Sequence, residues 1–409
     1  MAVASAVLAL AAPASLAAPT SHAAAATATA NPAPASAGCG AAHAAVTRAL
    51  EALVTRHGVP GAAAEVADPV CGRWTAARGV ADLGTGRPMN AEDRLRIGSV
   101  TKSFTATVVV QLAAEGRIAL DAPVERYLPG LIRGNGYDGD AITVRQLLQH
   151  TSGLPDHVES LVGEPVEDWR FRHFEPRELI ATALKMPHPD TAWHYATTNS
   201  VVAGLVIEQV TGRGVEAEVR RRILEPLGLR DTYWPGDGTR IRGPHSRSYF
   251  PAPAGSGQRA GAAAPLAGWL TDGTEWNTTF GGAGGALVST PADVGRFYRA
   301  LSAGTLVPQR WLAEMRSTVP ADPERLWPGA RYGLGLISSP LSCGGVWWGH
   351  GGTVPGGHRA LGATGPGGRS VSVVLTAVPP TDPAEADFRA LVDGAFCAAD
   401  RTHPLEETS

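Results

Sequence analysis

The sequence predicts an α/β (α+β) protein with one antiparallel sheet, flanked by terminal helices and carrying an inserted all-helical domain. Strand-like alternation occurs near both ends of the chain, whereas helical periodicity dominates the middle. The composition, 44% hydrophobic and 18% charged residues, is that of a globular protein with a sizeable core. We therefore assign residues 39–104 and 331–400 to the sheet domain, 105–330 to the inserted domain and 401–409 to a tail.

The first 38 residues contain no Lys, Arg, Asp or Glu and are rich in Ala, Pro, Ser and Thr. An apolar stretch from Val3 to Leu16, followed by small residues near Ala18 and Ala23, is typical of a cleavable signal peptide. We expect a signal peptide and a disordered Ala/Pro-rich spacer over residues 1–38, and hence a secreted, extracellular protein. Because a positively charged start is missing, an Ala-rich tail without a targeting role is the alternative. The stretch is too short and too interrupted for a stable membrane span.

The sheet domain is expected to begin with a helix and a hairpin. Residues 41–58 carry apolar side chains at helical spacing and close on Gly58, which suits a helix C-terminus. Two strand-like runs follow, GAAAEVA and RWTAARGVA, with the turn signal ADPVCG between them. After residue 330 the strand pattern returns, and a last helix follows. The segments are RYGLGLISS, GGVWWGH, HRALGAT, SVSVVLTAV and the helix PAEADFRALVDGAFCAA.

The inserted domain is predicted from helical patterns between residues 105 and 330. In the last of these patterns, Ser289 or Thr290 can cap the helix and Pro291 suits its first position. Residues 235–286, rich in Gly, Pro and Ala, are predicted to form long loops. The helical patterns include ITVRQLLQH, EPRELIATALKM, TTNSVVAGLVIEQVTG and STPADVGRFYRALSAG.

Four cysteines in a chain that is expected to be exported permit two disulfides. We expect the pairs Cys39 with Cys71 and Cys343 with Cys397, because each pair then joins an early or late helix to a neighbouring strand. Four buried free thiols are the alternative. No C-x-x-C spacing indicates a zinc site.

The net charge of -3 gives no broad basic field, so neither nucleic acid nor an anionic membrane surface is an expected partner. A small molecule or a peptide remains as the expected partner, and we expect a monomer.

Lys102 is one of only two lysines among 35 basic residues, the other being Lys185. Arginine stays protonated at any workable pH, whereas a desolvated lysine can lose its proton and act as a base. Ser99 precedes Lys102 by three residues, at the expected start of the buried helix SFTATVVVQLAAEG. Both side chains then lie on one helix face. The pair predicts a serine nucleophile activated by a lysine.

Two further stretches complete an ordered set. Tyr195 lies in WHYATTNS just before a helix, and His350 lies in WWGHGGTVPGG at the end of a strand. With Ser99-Val100-Thr101-Lys102, they resemble the three active-site elements of the serine β-lactamases and penicillin-binding proteins. A second element that begins with Tyr, and a third that begins with His, are similar to the class C branch and to secreted D-alanyl-D-alanine carboxypeptidases. QHTSGLPDH and YGLGL add to this resemblance, which runs from about residue 42 to 400.

The resemblance implies a β-lactamase/transpeptidase-like fold and a catalytic group of Ser99, Lys102, Tyr195 and His350. Ser99 would form an acyl-enzyme while Lys102 and Tyr195 move its proton to the leaving group. Tyr195 is a useful base only if cations lower its pKa, which Lys102 and His350 are expected to do. The backbone N–H groups of Ser99 and Thr353 would form the oxyanion hole. No metal and no cofactor are implied.

The substrate-binding residues depart from the family pattern at two positions. The family usually has Asn two residues after the Tyr, but here that residue is Thr197, and Asn199 lies two residues further on. Gly351 replaces a residue that is often Thr or Ser, while Gly352 lets a ligand approach the strand closely. Both departures raise the odds of an esterase.

Several other polar residues have either a structural role or a role in substrate binding as their expected function. His150 and His157 lack an accompanying metal-binding pattern such as H-E-x-x-H, and His150 is expected to be structural and buried near the site. Arg331 and Arg359 are candidates for binding a substrate carboxylate. The absence of a G-x-S-x-G motif from the sequence counts against an α/β-hydrolase.

The expected function is that of a secreted serine D-alanyl-D-alanine carboxypeptidase acting on peptidoglycan peptides. An esterase or a class C-like β-lactamase is the alternative, with an ester or a β-lactam as substrate. A catalytically silent relative that binds peptidoglycan or a protein is the second alternative.

Overall fold

An eight-stranded antiparallel sheet forms the centre of the protein. The computed structural model describes residues 34–162, 164–251, 258–259 and 269–397. Within these residues the strands lie in the spatial order β10 (Val319–Pro320), β11 (Arg331–Tyr332), β12 (Ile337–Pro340), β13 (Val346–Thr353), β14 (Arg359–Thr364), β15 (Ser370–Leu375), β1 (Gly61–Asp68) and β2 (Gly72–Gly79). Each strand is antiparallel to its neighbours.

The first strand and the last strand of the chain are neighbours in this sheet. Ala62 of β1 lies opposite Leu375 of β15, so the two ends of the chain complete one sheet, as the sequence predicts. Alternate residues of β1 serve opposite faces, since Ala62 and Ala64 belong to one apolar core and Ala63 to the other.

Two helices from the chain ends, α1 (Pro34–Thr55) and α12 (Asp382–Cys397), pack together beside the sheet. Leu50 and Leu53 of α1 share a buried core with Phe388 of α12. Full burial of such a side chain contributes about 1.5–3 kcal/mol to stability, so apolar packing holds these helices in place.

Both predicted disulfides are confirmed. Cys39–Cys71 joins α1 to the turn between β1 and β2, and Cys343–Cys397 joins the loop before β13 to the last residue of α12. Each terminal helix is therefore tied covalently to the sheet domain.

The other core lies between the sheet and the inserted part. The two helices at its centre, α2 (Thr101–Ala114) and α7 (Thr197–Thr211), contact each other and are buried on nearly all sides. This burial explains why their sequences lack a polar face. Thr290 caps α10, because its hydroxyl accepts a hydrogen bond from the Asp293 backbone N–H at 3.3 Å. The helices are α2 (Thr101–Ala114), α3 (Val144–Gln149), α4 (His157–Val162), α5 (Val166–Trp169), α6 (Pro176–Ala183), α7 (Thr197–Thr211), α8 (Val215–Val219), α9 (Glu225–Leu227), α10 (Pro291–Ser302) and α11 (Gln309–Met315).

The chain between β2 and β10 also contains short strands that the sequence pattern does not predict. Three small antiparallel ladders interrupt the helices, and one of them lies within the predicted loops of 235–286. Each strand has only two to four residues, too few for alternation to be read from a sequence. The strands are β3 (Leu95–Arg96) with β9 (Val288–Ser289), β4 (Arg133–Gly134) with β5 (Tyr137–Asp138), and β8 (Trp269–Asp272) between β6 (Tyr249–Pro251) and β7 (Gln258–Arg259).

The predicted signal peptide and tail lie mostly outside the described residues. Residues 34–38, which the sequence analysis placed in the spacer, instead form the start of α1. Among the described helices, none is both long and apolar enough to cross a membrane. The domain boundaries stay predictions.

Candidate active site

Ser99 lies on a tight turn between a strand and a helix. The turn, residues 98–100, follows β3 after one intervening residue and leads into α2. Gly98 has φ of 50°, and a Cβ there would lie 2.7 Å from the Thr353 carbonyl oxygen. Only glycine permits this approach. The turn therefore places Ser99 directly against β13.

Lys102 lies one helical turn beyond Ser99 and is 2% exposed. Its Nζ is 3.1 Å from Ser99 Oγ, 3.0 Å from the Gly284 carbonyl oxygen and 3.5 Å from Thr197 Oγ1. Burial lowers the pKa of Lys102 to about 7, because a cation is poorly solvated there. A large share of the lysine is therefore neutral at physiological pH and able to accept the Ser99 proton.

Tyr195 precedes α7 and faces the same pair, with its ring centroid 4.8 Å from Lys102 Nζ. Burial raises the pKa of Tyr195 well above its usual value, and the Ser99 hydroxyl opposes this rise only in part. Tyr195 therefore remains a phenol at neutral pH, suited to donating a proton.

His350 lies on β13, with its ring centroid 6.2 Å from that of Tyr195, and belongs to a buried hydrogen-bond chain. His150 Nδ1 accepts the Ala196 backbone N–H at 3.2 Å, which leaves the proton on its Nε2. That nitrogen lies 3.2 Å from Tyr332 Oη, which in turn lies 2.9 Å from His350 Nε2. The chain explains why His150 is structural and buried beside the site.

Burial and then the nearby Lys102 lower the pKa of His350 to about 3. His350 is therefore neutral at physiological pH. The prediction that it acts as a cation toward Tyr195 is wrong, because a buried imidazole gains no solvation for its charge.

A cleft of about 540 Å³ opens onto Ser99. Phe280, Trp327 and Trp347 supply aromatic surface, whereas Asp156, Arg325 and Arg359 supply charge. The remaining lining residues are Gly98, Ser99, Val158, Tyr195, Thr197, Gly281, Gly284, Gly285, Leu326, Ile337, His350, Gly351, Gly352, Thr353, Val354, Pro355 and Leu361.

Most of the predicted substrate-binding residues line this cleft, namely Thr197, Gly351, Gly352 and Thr353. Asn199 is not among the lining residues. Its amide contacts His150 Nδ1 at 3.1 Å and accepts the Ser152 hydroxyl at 2.5 Å, so it is engaged in the structure beneath the site.

The two arginine candidates differ as well. Arg359 lines the cleft, whereas Arg331 is exposed and donates to Thr318 Oγ1 at 2.8 Å. Arg331 is therefore not brought to the site.

Asp156 and Arg325 are cleft residues that the sequence analysis missed. Asp156 is 3% exposed and accepts the backbone N–H groups of Thr197 and Val158 at 3.0 and 3.2 Å. It stands in QHTSGLPDH, a stretch that resembles the family's active-site surroundings, and this resemblance is the sequence signal for it. Arg325 stands in an irregular segment, where no pattern marks it.

The fold and the serine–lysine–tyrosine group define a class of protein: serine hydrolases in which a lysine three residues after the nucleophile serves as its base. Comparison with known families agrees, since residues 46–396 match the Beta-lactamase family. The chain therefore belongs to the beta-lactamase family of serine hydrolases.

Solved structures of the same fold include two amide hydrolases. The chain is 40% identical to a D-stereospecific amidohydrolase from a Streptomyces species, covering 87% of this chain and 98% of that one, with a TM-score of 0.75. It is 26% identical to the D-amino acid amidase of Ochrobactrum anthropi, covering 88% and 99% respectively, with a TM-score of 0.74.

Curated relatives have more varied activities. Penicillin-binding protein 4 of Amycolatopsis lactamdurans is 33% identical over 46% of this chain and 49% of its own length. Esterase EstB of Burkholderia gladioli is 36% identical over 38% of this chain and 42% of its own length. The matched part of the chain thus spans less than half of each relative.

Proposed function

We propose that the protein is an exported D-stereospecific amidohydrolase, which cleaves an amide or peptide bond on the carbonyl side of a D-residue. The observation that carries the hydrolytic part of this proposal is Lys102 Nζ, buried at 3.1 Å from Ser99 Oγ with a pKa of about 7. The likeness to the Streptomyces D-stereospecific amidohydrolase supports the substrate class. A D-alanyl-D-alanine carboxypeptidase is the narrower form, in which the residue on the carbonyl side is D-Ala.

The contacts support a two-step mechanism. Neutral Lys102 takes the Ser99 hydroxyl proton while Oγ bonds to the substrate carbonyl carbon. The backbone N–H groups of Ser99 and Thr353 stabilise the resulting oxyanion. The C–N bond then breaks as Tyr195 gives its proton to the departing nitrogen and recovers one from the Lys102 ammonium. The products of this step are an amine and an acyl-ester on Ser99.

Water completes the reaction. Lys102, neutral again, accepts a proton from the water that attacks the acyl-ester. The ester C–O bond then breaks as the Lys102 ammonium returns this proton to Ser99 Oγ. The acid product is released. No step requires charge on His350, which agrees with its lowered pKa of about 3.

The charges of the cleft agree with a zwitterionic amino acid derivative or peptide as substrate. Asp156 offers a carboxylate for a substrate ammonium group, whereas Arg325 and Arg359 face the same cleft as cations. A neutral aliphatic ester would use none of these groups.

A panel of substrates tests the proposal on the full chain. We expect hydrolysis of D-phenylalanine p-nitroanilide, with the L enantiomer slower by about 10²-fold, and no turnover by Ser99→Ala. Diacetyl-L-lysyl-D-alanyl-D-alanine tests the carboxypeptidase form. Hydrolysis of p-nitrophenyl butyrate alone would establish an esterase, the activity that Thr197 and Gly351 favour. Rapid turnover of a cephalosporin alone would establish a β-lactamase.

Intact-protein mass spectrometry after incubation with benzylpenicillin tests the nucleophile separately. One covalent adduct is expected on the wild type and none on Ser99→Ala. An adduct that persists on the variant would exclude Ser99 as the acylated residue.

Export is part of the proposal. Two disulfides form and persist in oxidising compartments, which supports a location outside the cytoplasm. On expression in a secreting bacterial host, we expect the protein in the culture medium to have its N-terminus just after Ala18 or Ala23. Retention of the uncleaved chain in the cells would refute export.

A further inference from the structure

The segment between β10 and β11, residues 321–330, forms one wall of the cleft and is called here the rim segment. Arg325, Leu326 and Trp327 of this segment line the cleft. A turn fixes its course, because the backbone N–H groups of Arg325 and Leu326 donate to the Asp322 carbonyl oxygen at 3.2 and 2.9 Å. The turn therefore fixes the backbone at Arg325 in the wall of the cleft.

The rim segment is anchored from outside the cleft. Trp327 Nε1 donates to Glu385 Oε1 at 2.9 Å, and its ring packs 5.5 Å from the Trp347 ring and 6.0 Å from the Phe388 ring. Glu385 belongs to α12. Arg325, two residues before this anchor, is thus held near the cleft although its own side chain is exposed.

The two arginines of the cleft differ in what they already bind. Arg359 donates to Glu385 at 2.9 Å and to Thr353 Oγ1 at 2.8 Å, so its charge is largely neutralised. Arg325 makes no hydrogen bond or ion pair from its side chain with any described residue. Its guanidinium lies 5.2 Å from the centroid of the Tyr195 ring. It is the cleft cation available to a ligand.

The position of Arg325 near Tyr195 places it close to the leaving group of the substrate. In the proposed mechanism Tyr195 protonates the departing nitrogen, so the leaving group lies against Tyr195. A leaving amino acid carries a carboxylate within a few bonds of that nitrogen. A guanidinium above Tyr195 matches such a carboxylate in charge and in planar geometry.

We propose that Arg325 binds the carboxylate of the leaving group and makes the enzyme prefer to release an amino acid or peptide rather than ammonia or an uncharged amine. This inference rests on the proposed function. It assigns the enzyme to peptide cleavage within the wider class of amide hydrolysis.

Matched substrates that differ only in this carboxylate test the proposal. For the wild type, kcat/KM for acetyl-D-alanyl-D-alanine should exceed that for acetyl-D-alanyl-ethylamide, whose leaving amine is alanine without its carboxylate. In Arg325→Gln the ratio of these two kcat/KM values should fall by about tenfold, while kcat/KM for the substrate without the carboxylate should change less than about twofold. Arg325→Lys, which keeps the charge but loses the planar fork, should fall between them. Arg331→Ala, which removes an exposed arginine outside the cleft, should leave the ratio unchanged.

Other outcomes would overturn the inference. An equal loss on both substrates would show that Arg325 acts on Tyr195 or on the rim segment rather than on the carboxylate. An unchanged ratio would exclude any carboxylate contact. The ester acetyl-D-alanyl-D-lactate separates this inference from the proposed function. If neither amide substrate is cleaved but this ester is, amide hydrolysis is refuted. In that case a loss of activity in Arg325→Gln that is confined to esters with a free carboxylate would still support carboxylate binding by Arg325.

Discussion

The floor of the cleft and its rim segment are built in different ways. The floor, Ser99 with Lys102 and Thr197, stands on the start of two buried helices, α2 and α7, and its groups contact one another directly. The rim segment is irregular, and its polar anchor is the hydrogen bond from Trp327 to Glu385. Rigid elements thus fix the bond-breaking chemistry, whereas a separately held segment supplies the charge that selects a substrate. Variants of the floor should change kcat, and variants of the rim should change KM.

After Ser99→Ala, the largest effect is expected from Lys102→Arg on the floor. Arginine cannot lose its proton, so kcat for any cleaved amide should fall by about 10²–10⁴-fold. Lys185→Arg, at the only other lysine of the sequence and at an exposed position, should retain full activity. Steady-state kinetics of both variants checks this. Near-normal kcat in Lys102→Arg would mean that Tyr195 removes the Ser99 proton without the lysine.

The floor should also carry a cost in stability. The pKa of Lys102 falls from its ordinary value near 10.5 in the unfolded chain to about 7 in the fold, so the unfolded state binds more protons between these values. Stability from this group therefore rises with pH through that window, and the penalty is greatest below pH 7. Lys102→Met should raise the free energy of unfolding by about 1–3 kcal/mol at pH 6, and by less as pH rises towards 10.

Urea unfolding at pH 6 and pH 9 measures this difference, with Lys185→Met as the exposed control. A stability gain that is the same at both pH values would show that packing, and not the charge of Lys102, is responsible.

The contrast between floor and rim also explains what the sequence could predict. Ser99 and Lys102 stand three residues apart at a helix start, so their spacing predicts the pair. Tyr195 is predicted only from the resemblance of its stretch to the second active-site element of the family. The large sheet and both disulfides followed from strand patterns at the two chain ends. The neutral state of His350 was missed, because burial is a tertiary property that no local pattern records. The position of Asn199, four residues after Tyr195, predicts a substrate contact. Its contact with His150, 49 residues away in the sequence, forms only in the assembled fold.

Arg325 could not be found from the sequence for a related reason. It is one of many arginines, and it stands in a segment without periodicity, between two strands of two residues each. Its position depends on Trp327 and Glu385, which lie 58 residues apart. Such a contact is set by the assembled fold and leaves no mark on the local sequence.

A smaller effect is expected on the rim. Glu385→Ala removes the acceptor that Trp327 and Arg359 share, so the rim segment should lose its fixed position. We expect KM for a D-alanyl-D-alanine peptide to rise by about tenfold while kcat changes less than about threefold. Asp387→Ala, on the same helix but paired with Arg56 and His57, is the matched control. A loss confined to kcat would break the proposed division between floor and rim.

The smallest effect concerns the charge balance between the two regions. Burial is the largest influence on the pKa of Lys102 and lowers it, the Asp156 carboxylate raises that pKa, and Arg325 lowers it further. Asp156 Oδ2 lies 3.5 Å from Thr197 Oγ1, which is itself 3.5 Å from Lys102 Nζ, so the carboxylate reaches the lysine through one hydroxyl. Since Lys102 must be neutral to act as a base, kcat/KM should rise with pH through about 7 in the wild type.

Asp156→Asn keeps the shape of this side chain but removes its charge, so the pKa of Lys102 should fall and the acidic limb should move to lower pH by about 0.5–1 unit. The substrate for this pH profile should be N-acetylated, so that loss of an ammonium contact with Asp156 does not enter. Glu159→Gln, an exposed acid three residues along the chain, should leave the limb in place. A limb that stays at its wild-type pH in Asp156→Asn would show that Asp156 only orders the start of α7 through its backbone hydrogen bonds. A limb that moves to higher pH would mean that a group other than Lys102 controls it.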